Sequence, residues 1–106
     1  MTTPSLVNHY KLLSKMYNTV AMLNAAIGRL FQSPEVLARC SKEIILDMEV
    51  FFEESIALTT ELQMLSVFYS LSDESAILNI KADLTKLIKS ANNILIDVEM
   101  IVYNDL

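Results

Sequence analysis

The sequence predicts an all-α fold, an antiparallel up-down-up bundle of three helices forming a single domain over residues 1–106. Two observations predict it. The chain has one Gly and two Pro, and both Pro stand where helices can begin rather than inside an apolar pattern. Apolar residues recur at seven-residue intervals, a spacing typical of near-parallel helices that pack as in a coiled coil.

The first helix is expected at about 4–32. Thr3 and Pro4 place a hydroxyl at the N-cap and Pro at the first helical position, where its missing N–H costs nothing. Ser33 and Pro34 repeat this arrangement and end the helix by Gln32, because Pro disfavours helical geometry in the residue before it. The predicted core row of this helix is Leu6, Leu13, Val20 and Ile27.

The second and third helices are expected at about 34–71 and 73–104. The third starts after Ser72, which offers a capping hydroxyl ahead of two acidic residues. The predicted core rows are Leu37, Ile44, Phe51, Leu58 and Leu65 in the second helix, and Ile77, Leu84, Ala91 and Val98 in the third.

A break near Thr59-Thr60, giving four helices, is the alternative because paired β-branched residues weaken a helix. Short links between the helices favour antiparallel neighbours.

The second predicted helix carries the first candidate binding surface. At about 1.5 Å per residue it spans about 57 Å, against about 43 Å for the first helix, so its end has no partner there. That end, residues 62–71, contains no charge. An uncovered apolar run indicates a protein-binding or self-association surface, although a bend that buries the run in the chain's own core is the alternative. The candidate residues are Leu62, Met64, Leu65, Phe68 and Tyr69.

Charge is distributed unevenly along the chain and gives a second candidate surface. Residues 1–42 hold five bases and one acid, whereas residues 43–80 hold eight acids and no base. Four of these acids share one helical stripe, which we call the acidic strip: Glu43, Asp47, Glu54 and Glu61. Such a strip is either the solvated face of a bundle or a surface that attracts a basic partner. The net charge of −5 argues against direct nucleic-acid binding.

Residues suited to catalysis or metal binding are scarce. His9 is the only His, which excludes a di-iron bundle site because that site needs two Glu-x-x-His pairs. Cys40 is the only Cys, adjoins predicted core positions and is expected to be a buried structural thiol. With one Gly, the chain offers no Gly-rich phosphate loop. We therefore expect no catalytic residues, no metal and no cofactor.

The chain is expected to be cytoplasmic. Its longest uncharged run has thirteen residues, too few for a spanning helix, and its first residues lack the features of a signal peptide. A hydrophobic fraction of 53% is high for so small a domain, which favours apolar surface that is covered by another molecule.

The sequence thus predicts a non-catalytic protein-interaction module, an adaptor, small chaperone or regulatory subunit, that also self-associates to a homodimer. The alternative is a small acidic inhibitor or immunity protein that blocks a basic enzyme or a nucleic-acid-binding protein. A third hypothesis, less favoured by the residues, is a bundle that encloses a small apolar ligand.

Overall fold

The computed structural model describes residues 4–68 and 74–104, with side chains described for residues 11–63, 75 and 77–102. Four helices follow in order: α1 (Pro4–Phe31), α2 (Pro34–Arg39), α3 (Lys42–Phe68) and α4 (Glu74–Asn104). The described residues contain no strand. The all-α bundle is confirmed, with α1, α3 and α4 packed together and the short α2 against α1 and α4.

The predicted turn between the first two helices is confirmed at atomic level. The Gln32 N–H donates to the carbonyl of Gly28 (3.0 Å), so that the last turn of α1 closes before the chain leaves the helix. Ser33 then caps α2: its Oγ accepts from the Val36 N–H at 3.4 Å, and Pro34 follows at the first helical position.

The second predicted helix is interrupted, but not where the sequence pattern suggested. Cys40 adopts extended geometry (φ −79°, ψ 144°), and Ser41 starts α3 by accepting the Ile44 N–H on its Oγ at 3.3 Å. Helix α3 then continues through Thr59 and Thr60, whose hydroxyls donate to carbonyls four residues earlier. The fourth helix is therefore α2. Both the uninterrupted second helix over 34–71 and the alternative break at Thr59-Thr60 are wrong.

This break removes the predicted mismatch in helix length. Helix α1 has 28 residues and α3 has 27, so both are about 40 Å long. The excess length that suggested an uncovered end of the second helix is therefore wrong, because residues 34–39 form the separate helix α2 and α3 begins only at Lys42.

The seven-residue rows form the core as predicted. Three buried residues of α1, two of α3 and four of α4 come from the predicted rows, and Met48, Ile80, Leu87 and Ile94 join them. The buried predicted residues are Leu13, Val20, Ile27, Phe51, Leu58, Ile77, Leu84, Ala91 and Val98. Leu37 and Ile44 pack against this core from partly buried positions, while the side chains of Leu6 and Leu65 lie outside the described residues.

We predict that Leu58→Ala lowers the free energy of unfolding by about 2–5 kcal/mol, because Leu58 is only 6% exposed and truncation leaves a cavity. Ile56→Ala is the matched control on the same helix, since Ile56 is 68% exposed and its loss should change stability by at most about 0.5 kcal/mol. Urea unfolding followed by circular dichroism measures both. Equal losses would contradict the assigned buried face of α3.

We also predict that Ser41→Ala destabilises the protein by about 1 kcal/mol, because the first turn of α3 loses its side-chain acceptor. Ser41→Asp keeps an acceptor at the same place and should retain wild-type stability. The comparison tests whether α3 begins at this residue, since an uninterrupted helix through residues 40 and 41 would favour Ala over Ser.

Candidate protein-binding groove

Helices α3 and α4 run antiparallel and form a groove on the side away from α1. Two packed helices have a groove on each side, and α1, which packs against both, fills one of them. The other groove contains two cavities of about 320 and 200 Å³, lined by α3 and α4 residues alone. We call this surface the acidic groove. Its lining residues are Asp47, Val50, Phe51, Glu54, Ala57, Leu58, Glu61, Asp83, Lys86, Leu87, Ser90, Asn93, Ile94 and Asp97.

Acids stand on both walls of the acidic groove. Asp47 on α3 and Asp97 on α4 line the smaller cavity, whereas Glu61 on α3 and Asp83 on α4 line the larger one. Glu54 lines both cavities. Among the lining residues Lys86 is the only base, so negative charge dominates a surface where packed helices usually place opposite charges.

The floor and one flank of the acidic groove are apolar. The floor consists of core side chains that also line the cavities, namely Phe51, Leu58, Leu87 and Ile94. Val50 lines the smaller cavity and remains 41% exposed. An apolar floor between charged edges is the general arrangement of protein-binding surfaces, in which a buried centre is surrounded by a polar rim.

The structure places most of the predicted acidic strip in this groove. Asp47, Glu54 and Glu61 line it, whereas Glu43 is exposed at the start of α3 outside both cavities. Sequence reasoning missed Asp83 and Asp97 on the facing wall. They are fourteen residues apart, as Asp47 and Glu61 are, and this equal spacing was the signal that could have identified them.

The predicted apolar surface at residues 62–71 is only partly described. Leu62 is half-buried and packs against the core, so its side chain serves the fold. The side chains of Met64, Leu65 and Phe68, and all of Tyr69, lie outside the described residues. Binding by these residues stays a prediction, without the length mismatch that first motivated it.

The side formed by α1 and α3 differs in chemistry from the acidic groove. A cavity of about 250 Å³ there is lined by uncharged residues, including Tyr17, Ala21 and Thr59. Beneath them Asn24 donates from Nδ2 to the Oγ of Ser55 (2.9 Å), so that Ser55, which is buried, has a partner. Phe31 and Phe52 meet edge to face, with ring centroids 5.5 Å apart.

Cys40 is less buried than the sequence predicted, although it packs against the core. Its side chain is partly buried and packs against the core, and burial raises the pKa of the thiol. A higher pKa leaves less thiolate at neutral pH and makes the sulfur a poor nucleophile. The described residues contain no cluster of His, Cys, Asp and Glu suited to a metal ion, and the His9 side chain lies outside them.

No protein-family model matches the chain, and searches of curated proteins and of solved structures gave no significant match. None of the helices in the described ranges is both long enough and apolar enough to cross a membrane.

We predict that Asp97→Asn stabilises the protein by about 0.2–0.5 kcal/mol, because it removes the one acid on α4 that lines the same cavity as Asp47 and Glu54 of α3. Glu99→Gln is the control, since Glu99 is also exposed on α4 but lies outside both cavities. Glu99 is nearer the negative end of the α4 dipole, so a larger gain from Glu99→Gln would contradict repulsion across the groove. Thermal unfolding at low ionic strength measures both.

Proposed function

We propose that this protein is a non-catalytic interaction module that binds a basic partner protein through the acidic groove, as a regulator or inhibitor of that partner. The observation that carries the proposal is the placement of acids on both walls of an apolar-floored groove. The proposal sets the interaction in the cytoplasm and includes no cofactor, no nucleic acid and no membrane surface among its ligands.

Charge supplies the selectivity in this proposal. Five acids and one base line the acidic groove, so a basic segment is attracted before contact and an acidic one is repelled. Asp47 and Glu61 are fourteen residues apart on α3, which separates them by about 21 Å along the groove. A partner therefore contacts acids along about four helical turns of α3.

In this proposal, burial of apolar surface supplies most of the binding free energy. A basic segment that only neutralised exposed acids would gain little, because solvent-exposed ion pairs contribute at most about 1 kcal/mol. Val50 is exposed beside the groove floor, and an apolar side chain of the partner can cover it together with the edges of Phe51 and Ile94. The alternative of a carrier for a small apolar ligand is less favoured, because acids line both cavities.

We predict that neutralising the groove abolishes partner binding. The groove variant is Asp47→Asn/Glu54→Gln/Glu61→Gln, and the matched control is Glu49→Gln/Glu53→Gln/Glu99→Gln, which changes net charge equally at exposed positions outside the cavities. Both should keep the wild-type circular dichroism spectrum. Each is used to capture proteins from the native host, with quantitative mass spectrometry as the readout.

The expected result is a basic protein captured by wild type and by the control but lost from the groove variant. Its association rate should fall steeply as salt is added, because screening weakens long-range attraction. Capture that is equal for all three proteins, or that is lost equally from both variants, would contradict binding in the acidic groove.

A further inference from the structure

Helix α1 carries charge of the opposite sign to that of the acidic groove. It contains no Asp or Glu over Pro4–Phe31, and Lys15 and Arg29 are exposed on it. Lys15, Met22 and Arg29 follow one another at seven-residue spacing and therefore share one stripe of the helix surface. Met22 lies in the middle of this stripe and, at 74% exposed, is the most exposed large apolar side chain among the described residues.

The spacing of these cations matches the spacing of the acids. Lys15 and Arg29 are fourteen residues apart, or about 21 Å along α1. The groove carries Asp47 and Asp97 in one cavity and Glu61 and Asp83 in the other, again fourteen residues apart on each helix. Two cations at this separation can each lie beside one of the two acid pairs at the same time. This holds whether the docked α1 helix runs parallel or antiparallel to α3.

The outer surface of α1 also permits close approach by other helices. The exposed residues beside Met22 include Asn18, Ala21 and Ala25, which are small. Helix axes can approach to about 8–10 Å when the side chains between them are small. In such a contact Met22 would reach the apolar floor of the groove, where its adaptable thioether chain fits irregular space.

We infer that a second copy of this chain docks the outer face of α1, centred on Met22, in the acidic groove and completes a four-helix arrangement there. The inference rests on the proposed function to the extent that both use this groove as an interaction surface. Since α1 lies on the opposite side of the bundle from the groove, the contact joins two different faces. Such a contact builds chains or rings, not the two-fold homodimer expected from the sequence.

This self-association controls the access of a basic partner to the acidic groove. A copy of α1 seated between α3 and α4 covers the acids that a basic partner would use, so the partner must displace it. The four-turn contact is small, and interfaces of this size are weak and transient. We therefore expect assembly at high micromolar concentration and displacement by a partner that binds more tightly.

The test is sedimentation velocity at increasing protein concentration and low ionic strength. The α1 variant is Lys15→Glu/Arg29→Glu. The groove variant, Asp47→Asn/Glu61→Gln/Asp83→Asn/Asp97→Asn, removes four acids and adds no cation that could pair with the glutamates of the α1 variant. The control, Lys42→Glu/Lys89→Glu, has the same net charge as the α1 variant but changes exposed residues outside both surfaces. Wild type and control should form species larger than the 12.0 kDa monomer, and added salt should dissociate them. Each of the other two variants should stay monomeric.

Mixing the α1 variant with the groove variant gives the decisive result. The first retains an intact groove and the second retains an intact α1, so together they can form one contact and no more. We expect a complex of twice the monomer mass that does not grow further. A monomeric wild type, a monomeric control or a mixture that stays monomeric would overturn the inference. A monomeric wild type that still captures a basic protein through its groove would leave the proposed function standing.

Discussion

Burial of α4 between α1 and α3 is the interaction on which the structure depends. The α4 rows from Ile77 to Val98 and from Ile80 to Ile94 are three residues apart and form one face of the helix. Both rows are buried throughout, so this face is covered by neighbouring helices. Helix α1 and helix α3 contact each other less extensively than either contacts α4. Their positions are thus set mainly by α4, and the surfaces beside α4 follow from that arrangement.

The acidic groove is a consequence of having three long helices instead of four. Helix α1 covers one side of the α3–α4 pair, and no other helix of the described chain covers the opposite side. In a closed four-helix bundle this side would be core, and its edge positions would carry complementary charges. Here those positions carry Asp47, Glu61, Asp83 and Asp97, which disfavour closure of the groove by the chain's own helices. The stabilisation predicted for Asp97→Asn would identify these acids as residues that serve binding at the expense of stability, as at other functional sites.

The sequence was sufficient to predict the bundle because burial has a strong periodic signal. Every described residue of the predicted rows is buried except Leu37 and Ile44, which are partly buried and pack against the core. The break at Cys40-Ser41 was not predictable from that period, because Leu37 and Ile44 keep the seven-residue spacing across it. A single Ser that caps a helix is a weak signal compared with Pro, and Ser33 was recognised because Pro34 follows it.

The site was harder to predict than the fold because it belongs to two helices. Asp47, Glu54 and Glu61 form a visible strip on one helix, but a strip of acids on a single helix is also what an ordinary solvated face shows. The strip indicates a binding groove only because the antiparallel alignment of α3 and α4 places Asp83 and Asp97 on the facing wall. The same alignment makes the stripe of Lys15, Met22 and Arg29 informative, because its length can be compared with a groove of known length. Charge patterns along one helix therefore become evidence for binding when a second helix supplies the opposite wall and a third supplies a matching surface.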